Sequence, residues 1–136
     1  MTDLRLLISA RNSGEVRCAV TSDYSDNLSQ VLAKFGLVPD ASLLIEHDRA
    51  SALEILTQLL WKDMAYESEC MPRPKAEEFA KALLAEHATA DSKFFSNGNW
   101  TRRESWNPLT ASTFDAGLIV TGGDHLYFCI WFQDED

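Results

Sequence analysis

The chain has 136 residues, of which 46% are apolar and 24% charged, the composition of one folded domain spanning 1-136 rather than of a disordered segment. Its 12 Lys and Arg against 21 Asp and Glu leave a formal net charge of -9, and Arg102 and Arg103 are its only adjacent basic residues. Such a surface lacks the Lys/Arg clusters that displace counterions from phosphates, so direct nucleic-acid binding and membrane attachment are not expected.

The first apolar run, Leu4–Ala10, has strand character. Asn12, Ser13 and Gly14 then supply turn chemistry, and Val16–Ser22 alternates apolar and polar as the second arm of an antiparallel hairpin. Leu28, Val31, Leu32 and Phe35 follow the i, i+3, i+4, i+7 spacing of a short amphipathic helix, with Ser25 as its cap and Gly36 as its stop. Ser42–His47 reads equally as a buried strand or as a helical lead-in.

The strongest helix pattern follows. Leu53, Leu56, Leu60 and Met64 share a face widened by Leu59; Ser51 and Glu54 form a capping box, with Asp48 as a rival cap. Pro72 and Pro74 break this helix, and Pro74 suits the first turn of the next, whose buried stripe is Ala76, Phe79, Ala80, Leu83 and Leu84. The two are expected to pack antiparallel. Residues 89–113 are polar and turn-rich, yet hold Phe94, Phe95, Trp100 and Trp106, so extended pieces packed on the domain are expected rather than a flexible linker. Two apolar runs flanking Gly122-Gly123-Asp124 make a hairpin. The expected class is therefore α+β: an antiparallel sheet with an N-terminal and a C-terminal hairpin, packed against about three helices.

No catalytic signature is present. His47, His87 and His125 lack H-x-x-x-H or H-E-x-x-H spacing, no G-x-S-x-G occurs, and Thr121-Gly122-Gly123 lacks the Lys of a phosphate-binding loop. The odd set Cys18, Cys70 and Cys129 forms neither a disulfide framework nor C-x-x-C metal spacing. The start of the chain holds no apolar run of signal or membrane-span length, and these features together lead to the expectation of a reducing cytoplasm. No metal or cofactor is expected.

Strand alternation divides the last apolar run. Leu126, Phe128, Ile130 and Phe132 are expected to face the core; Tyr127, Trp131 and Gln133 are expected outside, beside Asp134, Glu135 and Asp136. Aromatic area next to carboxylates suits a basic protein surface. Together with Trp106, these residues (Tyr127, Trp131, Gln133, Asp134, Glu135, Asp136) form the expected partner-binding set. The expected function is a non-enzymatic acidic inhibitor of immunity or antitoxin type, occluding the active site of a basic toxin or nuclease. The alternatives are an anti-defence or adaptor protein of a phage or mobile element, and a small hydrolase or transferase using carboxylate and His chemistry.

Overall fold

The computed structural model describes residues 3–99 and 106–135. Its elements, in order, are α1 (Leu4–Ala10), β1 (Glu15–Ser22), α2 (Leu28–Lys34), a 3-10 turn at Ala41–Leu43, β2 (Ile45–His47), α3 (Arg49–Trp61), α4 (Arg73–His87), β3 (Phe94–Ser96), β4 (Phe114–Thr121) and β5 (Leu126–Asp134). One antiparallel sheet of five strands has the order β1-β5-β4-β3-β2. The α+β class with an antiparallel sheet is as expected from the sequence. No helix among the described residues is long and apolar enough to cross a membrane.

Leu4–Ala10 is a helix, not a strand. Asp3 caps it, accepting from the amides of Arg5 at 3.0 Å and Leu6 at 3.3 Å, and Leu-rich sequence with one β-branched residue favours helix once capped. Leu7 is buried, with Leu4 and Ala10 packed on the same core. The antiparallel neighbour of β1 is consequently β5, in register from Glu15↔Gln133 to Ser22↔Leu126. Ser42–His47 divides between the 3-10 turn and strand β2. The caps also move: Asn27, not Ser25, caps α2, and Asp48 caps α3 through the Ser51 amide at 2.7 Å.

Both faces of the sheet are covered. On one, Phe128, Ile130 and Phe132 pack with Leu118, Val120 and the buried stripes of α3 and α4. On the other, Tyr127, Cys129 and Trp131 pack with Ile119, Leu109 and the α2 residues Val31 and Leu32. A strand buried on both faces reads as a continuous apolar run, which is how Tyr127–Phe132 is written. Burial acts on all three free thiols: it pushes Cys18 up to about 12 and raises Cys70 and Cys129 as well, which favours the protonated form.

Candidate functional site

Most of the partner-binding set expected at the end of β5 is engaged within the fold. Trp131 is 1% exposed, and its indole Nε1 donates to Asp115 Oδ1 at 3.2 Å. Tyr127 is buried, with its hydroxyl donating to Asp26. The outward row assigned to these aromatics is thus a second core layer, because α2 and the Leu109 segment lie over that face. Asp134 is buried and holds Arg11 through two bonds, Nη1 to Oδ1 at 2.9 Å and Nη2 to Oδ2 at 2.8 Å. It also accepts from the Met64 amide at 2.9 Å, while Arg11 Nε donates to the Leu59 carbonyl at 2.7 Å. Asp134 therefore clamps α1, the end of α3 and β5, and is not available to steer a partner.

The remaining members are partly accessible. Gln133 donates to Ser112 Oγ at 2.9 Å; Glu135 is exposed and accepts from the amide and hydroxyl of Thr113, which holds its carboxyl below the usual range. Trp106 is half-buried, its ring 6.1 Å from that of Phe114. Asp136, Trp100, Arg102 and Arg103 lie outside the described residues.

The chemistry left on the surface concentrates elsewhere, where the β1–α2 loop meets the β4–β5 turn. Tyr24 is 77% exposed, and its ring lies 4.8 Å from that of His125. His125 Nδ1 sits 2.9 Å from Asp26 Oδ1, which also accepts from Tyr127 Oη at 3.2 Å. These bonds, that from His125 foremost, hold the Asp26 carboxyl below its ordinary value. Asp23 accepts from the hydroxyl and the amide of Ser25 and pairs with Lys34 at 3.4 Å, and its carboxyl is lowered for those reasons in that order. The Asp23 amide donates to the His125 carbonyl at 2.9 Å, joining the two segments.

The backbone here is strained. Asp26, Asp124 and His125 have φ of 53°, 57° and 60°, a left-handed conformation that non-glycine residues rarely adopt. A second exposed aromatic repeats the pattern: Tyr66, 69% exposed, precedes Glu67 at φ 56° in a loop closed by bonds to Asp63. Of the four left-handed non-glycine residues among those described, Asp26 and Glu67 lie in loops that present an exposed Tyr, and Asp124 and His125 lie in the turn whose His125 ring packs on Tyr24.

Sequence reasoning read Asp23–Asn27 only as a helix lead-in. The signal available there was an aromatic among four Asx and Ser residues; the pairing of Asp26 with His125, 99 positions away, left no trace in local pattern. The groove between α3 and α4 is lined by both charge signs, with Glu54, Glu77, Arg73 and Lys81 around Trp61. Among the described residues, neither this groove, nor that beside Phe35, nor that at the end of α4 is lined by His47 or His125, and no group of three His, Cys, Asp or Glu is placed to hold a metal ion. No protein-family model, curated protein or solved structure matches the chain.

Proposed function

We propose that the protein is a non-enzymatic acidic binding protein of immunity or antitoxin type, which neutralises a basic toxin or nuclease by covering its active site, and that the tip formed by Tyr24, Asp26, Asp124 and His125 is its contact surface. The observation that carries this reading is Tyr24: a ring 77% exposed, braced on His125 in a loop tied down by Asp23 and Asp26. A large aromatic held in place before binding loses little conformational entropy on complex formation, which is the property of an interface anchor. Asp26 and Asp124 flank it with charge of the sign that attracts a basic surface, and the net charge of -9 extends that attraction outward.

The other readings draw less support. An anti-defence protein that mimics nucleic acid needs acids along a continuous face, yet α4 interleaves Arg73, Lys75 and Lys81 with Glu77, Glu78 and Glu86. A hydrolase or transferase finds an acid–base pair in His125 and Asp26, but on a rim exposed by 41% and 60% rather than in a described groove.

The test is co-expression with the product of the gene beside its own. Growth arrest by a basic neighbour is relieved by the chain, and Tyr24→Ala weakens the purified complex by about 30-fold, the ~2 kcal/mol of an aromatic anchor. Asp26→Asn with Asp124→Asn slows association at low salt and leaves dissociation nearly unchanged. Full relief and unchanged kinetics in all three substitutions, with the far-UV spectrum intact, refute the reading.

A further inference from the structure

The two edges of the sheet are unlike. Strand β2 is blunted by its length of 3 residues, whereas β1 is an edge strand of 8 residues with neither Pro nor Lys and with unbroken register to β5. Long open edges template further strands, and proteins ordinarily shorten, charge or cover them.

The register fixes which backbone groups are open. The bond from the Asp23 amide to the directly opposite His125 carbonyl marks that pair as hydrogen-bonded, so Glu15, Arg17, Ala19 and Thr21 also turn their amides and carbonyls toward β5. Val16, Cys18, Val20 and Ser22 turn theirs outward. Among the described residues, only one of these outward groups has a partner: the Ser22 carbonyl accepts from Lys34 Nζ at 2.8 Å. The Lys34 ammonium therefore stands on the open edge at the Ser22 end, and exposed Glu15 stands at the other.

We propose that β1 pairs antiparallel with β1 of a second copy, about a two-fold axis between the two Ala19 residues, giving a dimer with one continuous sheet. Charge complementarity selects this occupant. An antiparallel two-fold brings Ser22 opposite Val16 of the other copy, so Lys34 of each copy meets Glu15 of its mate, and the contact occurs twice. Cys18 lies opposite Val20, which is 52% exposed in the single chain, and the small Ala19 side chains meet at the axis, where non-hydrogen-bonded pairs stand closest. Arg17 lies opposite Thr21, and Glu15 lies opposite Asp23, whose carboxylate Lys34 pairs with at 3.4 Å, so the Lys34 ammonium stands between the two acids. This inference does not rest on the binding function proposed above; Lys34 also pairs with Asp23, which holds the Tyr24 loop, so Val20→Lys is the variant that acts on the edge alone.

Sedimentation velocity from micromolar to millimolar concentration tests it. The wild-type chain shows a reversible monomer–dimer equilibrium. Val20→Lys, which sets a charge on the edge at an exposed position, weakens dimerisation by at least about tenfold, whereas Val20→Thr retains it. Glu15→Lys and Lys34→Glu each weaken it, and combining the two restores it to within roughly threefold of wild type, the signature of a direct pair. A wild-type monomer at millimolar concentration, a dimer unmoved by Val20→Lys, or a double exchange that fails to restore pairing overturns the proposal; so does an edge that takes another protein's strand while the chain itself stays monomeric.

Discussion

The β4–β5 hairpin carries carboxylates at both ends, and the two ends use them in opposite ways. At the open end Asp115 and Asp134 are 0% and 2% exposed, each surrounded by donors: Asp134 by Arg11 and the Met64 amide, Asp115 by Asn97, the Leu109 and Thr110 amides, the Thr110 hydroxyl and the Trp131 indole. At the turn, Asp26 and Asp124 stay exposed on left-handed backbone, with a single pair of side chains bonded to Asp26. The first arrangement lowers the energy of the fold; the second spends some of it on holding side chains outward. What distinguishes the buried acids from the exposed ones is the number of donors aimed at them.

Removing a donor at the open end therefore has the largest effect. Arg11→Ala leaves Asp134 buried without its cation, and should destabilise by about 3–5 kcal/mol in urea unfolding. Gly14→Ala attacks the same clamp sterically, since an added Cβ would lie 2.0 Å from Asp134 Oδ1 and 2.5 Å from the Gln133 carbonyl, at φ +66°. Asp115→Asn presents an NH2 group to a ring of donors and should lose about 1–3 kcal/mol, together with a red shift of Trp131 fluorescence as its indole bond fails. Wild-type stability in either Arg11→Ala or Asp115→Asn would show that these acids do not hold the core.

This contrast marks the limit of what sequence can show. The helices at 49–61 and 73–87 and the hairpin at the two last apolar runs follow from periodicity, Pro placement and spacing, which are local properties. The same alternation that turns Phe132 inward also turns Asp134 inward, so the burial of that acid was legible, although its partner Arg11, 123 positions away, was not. Alternation could not reveal that Trp131 is buried, because period 2 separates two faces without saying what lies over either. The cover comes from α2 and Leu109, brought there by tertiary packing. The helix at Leu4–Ala10 escaped for a smaller reason: its apolar run is short, and Asp3 as cap decides it.

At the turn the expected effects are smaller and of opposite sign. The glycines there look indispensable in the sequence, yet the left-handed positions are Asp124 and His125. An added Cβ on Gly123 meets nothing within 4 Å. Gly123→Ala should therefore be neutral or stabilising by up to about 1 kcal/mol, because it narrows the unfolded ensemble. His125→Gly should also stabilise, by roughly 0.5–1 kcal/mol, since it relieves a left-handed side chain at the loss of one exposed bond to Asp26. It should at the same time weaken partner binding by removing the brace of Tyr24. A His125→Gly chain that is less stable than wild type would mean that the tip is a structural element like the open end.

The least expected effect is a pH dependence that belongs to the turn end. His87 stacks on Phe128 with ring centroids 3.9 Å apart, and burial lowers its pKa from the ordinary 6.5 despite the opposing pull of Glu86. A lowered value means that the folded state favours neutral imidazole. The unfolded chain then binds more protons near and below pH 6.5, so the stabilisation is complete above that value and is lost as pH falls through the folded pKa. Asp23, Asp26 and Glu135, also lowered in the fold, behave in the same sense in the carboxylate range, with stability lost only as pH falls below about 4. Melting temperatures measured between pH 7.5 and 5 should fall modestly for the wild type and stay flat for His87→Gln. In the carboxylate range, where the same acids titrate in both chains, the two curves should run parallel; parallel curves over the upper interval as well would separate the imidazole from the stability of this end.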